Sequence, residues 1–589
     1  MHRNPSHIKS ITHLTRCNVS WVKRRFLLLG AFIMPWLAQG QVVQDSTDLS
    51  TEVIQVIKSY APEIADAFKI KQMPDFEENV IAPEASLNYT VLSVPATTDF
   101  VMTRPQPMRY KSASDKKPYD NYVRIWGGTK ESLGLDLNTK LSHSKKQLWS
   151  IGLQHEQING PLPGISWGND WSFSKFNSDL RLINRERELS FSFDLSQRNN
   201  VFYGISSGAL FDEGLFDLDW SQSLTQTAFK ATLGANGGWF DGGSMDLSYL
   251  RDRFDTSEFS FNAKPQAHFL IGSRQFLIKA NLGLLNTIYT PKEGAATEYR
   301  FMNHDLEGTY SLAFDALLID FGAKVWWHTA TSAQTEVRVF PNIHLTYPLI
   351  KNVMQLEGIF GGAYAQQSYR DFQYTNNWLA PNALLKPTIS QQFLDVTLSG
   401  AWSKQVHYQL GARWDQIEDL PLMVRSEYAI GVNQAPYDYG NSFDVIYDQA
   451  AVFKLHYGLS ADVNDQWQIG ARGSWAQYAM DRESTPWNLP ELSMAFDAHF
   501  RYSAKWSLSA QLLAYGSRED RFVDLGQVRT EEVSGFIDLG ATLRHQITKK
   551  WMASIMINNA LNQDYQLWTQ YPVQGFRINL GIQYNFDLP

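Results

Sequence analysis

The chain has 589 residues, of which 44% are hydrophobic, 13% aromatic and 19% charged, and its 19 Trp, 26 Tyr and 34 Phe exclude a disordered or fibrous protein. A mean hydropathy of −0.31 excludes a bundle of membrane helices, each of which needs ~20 mostly apolar residues. It leaves open a transmembrane barrel, whose strands alternate and average out polar. The first 40 residues hold six Lys or Arg and no acid, so the rest carries 46 basic against 60 acidic residues, net −14, which argues against a nucleic-acid partner.

Residues 1–40 read as a secretory signal peptide. Lys23, Arg24 and Arg25 precede a short apolar core from Phe26 to Leu37, and Ala38-Gln39-Gly40 supplies small residues for cleavage. The single cysteine, Cys17, lies before that core. Cleavage near Gly40 leaves a mature chain without thiols, hence without disulfides or thiolate metal sites.

Residues 41–120 read as an N-terminal periplasmic tail or short plug-like segment. Gln41 to Thr51 is polar, and Pro62 breaks an amphipathic or extended stretch from Glu52 to Ile70. Five prolines punctuate Met73 to Pro107, and Lys111 to Asp120 is polar and charged.

The text changes at about Tyr122, and residues 121–589 read as one domain. Runs of about ten residues alternate apolar and polar, separated by Gly, Asn, Asp and Ser. In the last run Phe576, Ile578, Leu580, Ile582, Tyr584 and Phe586 share one face; Arg577, Asn579, Gly581, Gln583 and Asn585 share the other. The same pattern covers 276–284, 319–327, 453–461, 467–475 and 537–544. About 20 such runs with no helical layer between them exceed what an open sheet sustains. Closure removes every edge. The expected fold is all-β: a single large antiparallel transmembrane β-barrel of roughly 18–22 strands.

The stretches 159–170, 369–388, 433–441 and 478–490 are expected to be outer loops. Ala504-Lys505 and Lys549-Lys550 are expected in short periplasmic turns. Trp149, Trp171, Trp327, Trp402, Trp414, Trp467, Trp506 and Trp551 sit near run ends, as interfacial aromatics do.

Nothing points to catalysis. The barrel histidines are scattered, and no HExxH or Gly-x-Ser-x-Gly pattern occurs. No catalytic, cofactor or metal residues are assigned. The charges expected to face the lumen are Lys279, Asp320, Lys324, Asp395, Lys454, Arg472, Asp538, Arg544 and Arg577, which either tune permeation or pair with one another.

The stretch Asn558 to Phe586 resembles the end of TonB-dependent receptors. The matching positions are Asn558, Asn559, Leu561, Tyr565, Trp568, Gly575, Arg577 and Phe586. The chain departs from that family in having only about 80 residues where a plug of well over a hundred is usual. It looks like the plugless, receptor-like barrels common in Bacteroidota. The resemblance implies the bacterial outer membrane, with passage of a solute or polymer through the barrel and no known substrate. Outer-membrane lipid is then a partner, as is TonB or another periplasmic protein. Glu52, Val53, Ile54, Gln55, Val56 and Ile57 are similar to a TonB box, with an acidic start and alternating β-branched residues suited to strand addition. The alternative function is a structural or assembly barrel that docks a periplasmic or surface partner.

Overall fold

The computed structural model describes residues 121–588, except 145, 163–164, 166–167, 206–217, 236, 273, 292–293, 332–333, 352, 429–434 and 525–526. The expected signal peptide, the tail at 41–120 and the segment Glu52–Ile57 lie outside the described residues.

The strands in chain order are β1 Asn121–Gly128, β2 Ser132–His143, β3 Gln147–Ile158, β4 Trp171–Ile183, β5 Arg187–Val201, β6 Ser221–Ala235, β7 Phe240–Asp252, β8 Thr256–Ile271 and β9 Arg274–Tyr289. They continue with β10 Thr297–Phe314, β11 Leu317–Ala330, β12 Glu336–Ile350, β13 Met354–Ala365, β14 Thr388–Ser403, β15 Val406–Arg425, β16 Phe443–Asp462, β17 Trp467–Met480, β18 Leu492–Arg501 and β19 Trp506–Tyr515. The chain ends with β20 Arg518–Asp524, β21 Gln527–Val533, β22 Phe536–Gln546, β23 Trp551–Asn558, β24 Gln566–Trp568, β25 Tyr571–Pro572 and β26 Arg577–Phe586. One short helix, α1, spans Tyr369–Thr375 between β13 and β14.

Twenty-two strands form one antiparallel sheet, at the upper end of the expected range. Each pairs with its neighbour in sequence, except that the hairpins β20–β21 and β24–β25 stand outside the ring. The ring closes where β26 meets β1, from Asn121 opposite Phe586 to Gly128 opposite Asn579. Gly128 is required at that seam, because a Cβ there would run into the Ile578 carbonyl and the Asn579 side chain. With strands ~4.8 Å apart and tilted ~40°, the backbone ring is roughly 40 Å across.

Alternation sorts the side chains. On β26, Leu580 is 63% exposed and Ile582 48%, whereas Asn579 is 5% exposed. Leu455 on β16, Leu282 on β9 and Phe321 on β11 are exposed like Leu580. A closed barrel with this apolar outer band spans a membrane through its strands.

The two rims differ. One carries the described chain ends and tight turns, several closed by local side chains. Asn464 Oδ1 accepts from the Gln466 and Trp467 amides at 2.8 and 2.9 Å. Thr548 Oγ1 accepts from the Lys550 and Trp551 amides at 3.2 and 3.1 Å. Such bonds set turns where no ladder partner exists. The expected turns at Ala504-Lys505 and Lys549-Lys550 lie on this rim. The described residues of all four stretches expected as outer loops lie on the other rim, which fits the outer side of a barrel with short inner turns and long outer loops.

Candidate functional site: the lumen and its cap

At 18 and 20 residues, β10 and β15 exceed the ~9–11 a membrane crossing needs, so their outer ends stand clear of the bilayer. Inside that raised wall the long loops build a hydrophobic core of their own. It takes Leu224, Leu250, Leu285 and Phe301 from the inward face of β6, β7, β9 and β10. To these it adds Phe202, Tyr203, Tyr369, Phe372, Trp378, Leu379, Trp568 and Tyr571 from loops.

The connections show that this core crosses the mouth. Tyr571, the first residue of β25, stacks on Trp378 at 3.8 Å and 22°, with Tyr203 4.8 Å away. The Tyr571 hydroxyl donates to the Asn441 carbonyl. Asn441 Nδ2 donates to the Phe202 carbonyl at 3.0 Å. Phe202 follows the fifth strand of the ring and Asn441 follows the fifteenth, so ten strands of 22 separate them, nearly a half-turn. Loops from opposite walls therefore meet over the lumen. The segment 366–387 joins them, through Ala380 N to Phe443 O at 2.8 Å and Phe443 N to Trp378 O at 3.0 Å.

Helix α1 pins this cap to the β5–β9 wall. Ser368 caps the helix by accepting from Asp371 N at 3.1 Å. Glu258 of β8 accepts from the Tyr369 and Arg370 amides at 2.7 and 3.3 Å, so a carboxylate meets the positive end of the helix. Arg198 of β5 donates to Gln373 O and Oε1, both at 2.8 Å. Gln373 Nε2 donates to the Tyr369 hydroxyl, and that hydroxyl donates to Asp252, each at 2.8 Å. Burial, with the nearby Asp252 charge, pushes the Tyr369 phenol well above its usual value. Burial alone does the same for Tyr203. These phenols stay protonated and can donate.

Beneath the cap lies a chamber of about 530 Å³. Lys279 and Lys324 both reach Glu307 of β10, at 3.4 and 3.2 Å. Asp305 accepts from Asn281 and Tyr364 at 3.0 and 3.1 Å. A second space of about 910 Å³ lies toward the turn rim, with Arg472 and Asp497 in its lining.

The remaining sequence-selected charges fall as follows. Asp320 lies 3.7 Å from His344, Asp395 lies 4.0 Å from Arg413, and Arg472 lies 3.5 Å from Asp497. Asp538 accepts from the Tyr565 hydroxyl at 2.7 Å, and Arg544 donates to Ser509 at 3.1 Å. The side chains of Lys454 and Arg577 make no hydrogen bond or ion pair with the described residues, though Arg577 lies in the field of Glu156 and Asp538. The ion pairs run between neighbouring strands along the wall, not across the lumen. Being partly exposed, each contributes ~0–1 kcal/mol, so they set the charge pattern of the lining more than its stability.

Sequence reasoning passed over Glu307, which joins two of the selected lysines, and most of the cap. A signal for the cap was present: aromatics crowd the expected loops, as in Trp378, Tyr437 and Tyr439, and recur at Trp568 and Tyr571. Among the described residues, no three His, Cys, Asp or Glu side chains converge as a metal cage would.

No family model matches the sequence, and no curated protein does. Solved structures match the fold. The ferripyoverdine receptor of the outer membrane of Pseudomonas aeruginosa aligns over 79% of this chain and 71% of its own, at 12% identity and a TM-score of 0.58. The siderophore receptor PiuA of Acinetobacter baumannii aligns over 79% and 81%, at 10% identity and 0.57. The copper transporter OprC aligns over 79% and 80%, at 11% identity and 0.56. The likeness is one of fold. The architecture of closed ring, apolar outer band, short turns and long loops is that of a bacterial outer-membrane barrel.

Proposed function

We propose that the chain is a transport barrel of the TonB-receptor type that passes a solute or polymer inward once its cap is displaced. The observation that carries this reading is the cap itself: loops from opposite walls fuse over a charged lumen. A barrel serving only as a scaffold has no need to close its outer mouth with a buried core. The neighbours in fold carry the names of siderophore receptors and a copper transporter, which supports transport without naming a solute here. The reading includes the plugless subtype, with residues 41–120 as a periplasmic tail. Glu52–Ile57 would offer a strand to TonB, whose pull would release the closed state.

Planar-bilayer recordings test it. Replacing 366–387 by a short Gly-Ser linker, in a chain also lacking 52–107, is expected to give large, stable channels. The chain lacking only 52–107 is expected to stay mostly closed. Equal, low conductance from both would favour the scaffold reading.

A further inference from the structure

We propose that a chamber of about 310 Å³ between the cap and the β22–β26 wall is a subsite for a neutral sugar ring. This rests on the transport reading and names the class of solute. Six side chains carry the argument: Trp171, Asn200, Trp378, Asp538, Asn558 and Arg577, all in the chamber lining. They come from the start of β4, the top of β5, the cap, and the inward face of β22, β23 and β26.

Their hydrogen-bonding capacity is largely unspent. The Arg577 side chain makes no hydrogen bond with the described residues, and its Nε is buried without a partner. Asn200 is 2% exposed; its amide donates to the Asn377 carbonyl at 3.2 Å, while its Oδ1 has no partner. Asp538 gives one oxygen to Tyr565 at 2.7 Å, and no described residue takes the other. The exposed side chain of Asn558 bonds to none of the described residues. Leaving the buried Asn200 Oδ1 and Arg577 Nε unpaired is costly, so a ligand with matching groups gains by supplying them.

The mixture selects the ligand. Amides, a carboxylate and a guanidinium offer planar donors and acceptors side by side, which suits hydroxyls that both donate and accept. Trp171 adds apolar ring surface, which suits the C–H face of a pyranose, and Trp378, stacked on Tyr571, borders the chamber. The volume sits near the lower end of the ~300–1,000 Å³ of ligand pockets, enough for one or two sugar units. Charge excludes the other classes. All the connections on the loop rim together carry 20 acidic against nine basic residues, so an anion is repelled on approach. Within the chamber Asp170 and Asp538 share the lining with Arg577, so a ligand charge of either sign meets a like charge there.

The test uses full-length protein in lauryldimethylamine oxide, a detergent without sugar. The probes are methyl α-glucoside, methyl β-galactoside, xylose, N-acetylglucosamine and maltose, with citrate and spermidine as charged controls. Saturation-transfer NMR reads binding, and tryptophan fluorescence gives the affinity. The expected result is saturable binding of at least one sugar, weakened about tenfold or more in both Asn558→Leu and Arg577→Met. Heat-modifiable gel migration of both variants is expected to match the parent, which separates lost binding from lost folding. Binding of citrate or spermidine in place of sugars would overturn the proposal. So would sugar binding that survives both substitutions, or no saturable sugar binding at all. Channel opening on cap deletion would stand through any of these failures, so the subsite and the transport reading fail separately.

Discussion

The two rims of the barrel spend their aromatic residues in opposite ways. On the turn rim Trp402 is 80% exposed, Tyr502 69%, Trp239 63% and Trp551 42%. They flank the apolar band where interfacial Trp and Tyr meet both lipid and water. On the loop rim Tyr571 and Tyr369 are at most 1% exposed, Trp487 3% and Trp378 8%. The charges divide too: the connections on the turn rim hold eight basic against three acidic residues, those on the loop rim nine against 20. The cause is the sheet. Tight turns inherit their geometry from the strands they join, so their aromatics are free to face the membrane. Long loops have no ladder to satisfy them and must assemble a core, which here crosses the mouth. The barrel and its cap should therefore fail independently.

The largest expected effect is on the cap alone. Tyr571→Ala removes a fully buried ring and a cross-mouth hydrogen bond, at about 3–5 kcal/mol of cap stability. Gly204→Ala should act through the same ring, since a Cβ there would lie 2.6 Å from it. Both variants should keep the heat-modifiable migration of a closed barrel while protease added outside cuts the loops. Simultaneous loss of barrel and cap would merge what the comparison separates.

Next comes the barrel alone. Leu580→Arg places a charge toward lipid, costing ~2–4 kcal/mol near the midplane, and should cut refolding yield. The lumen-facing control should be Gln583→Arg, not Asn579→Arg, because Asn579 is packed tightly against Gly128. Equal refolding yields for Leu580→Arg and Gln583→Arg would contradict the facing assignment.

A smaller effect concerns pH at the loop rim. Burial raises the carboxyl pKa of both Asp438 and Asp520. For a raised carboxyl the stabilising contribution is full below the unfolded pKa of ~3.9 and is lost as pH rises through the folded value. Amide exchange in 435–442 and 516–524, corrected for its intrinsic pH dependence, should therefore show weaker protection as pH rises from mildly acidic values. Asp438→Asn and Asp520→Asn should flatten that trend. Stronger protection at higher pH would reverse the assignment. The smallest effect belongs to the turn rim: Trp402→Ala should cost under about 1 kcal/mol in bilayer refolding and leave loop protection unchanged.

The barrel was legible because its information is local. Alternation over ten residues places Leu580 and Asn579 on opposite faces, and turn residues mark the ends. The loops were legible as positions but not as a structure. Nothing in the spacing of Phe202, Asn441 and Tyr571 says that they meet, since their contact depends on ring closure and on loops crossing some 40 Å. The charges lie between these cases. Lys279 and Lys324 were readable as inward, but their shared partner Glu307 follows from the register of β9, β10 and β11, which the sequence leaves open.

The central claim is that the cap seals the lumen from outside. Lys324→Cys places a thiol beneath the cap, and Gln334→Cys places one in an exposed loop; the native Cys17 precedes the expected cleavage site. Intact cells would be treated with a bulky, membrane-impermeant maleimide, which approaches only from the outer side. The account predicts labelling at 334, none at 324, and labelling at 324 once Tyr571→Ala is added. Rapid labelling at 324 in the otherwise unaltered chain would contradict it.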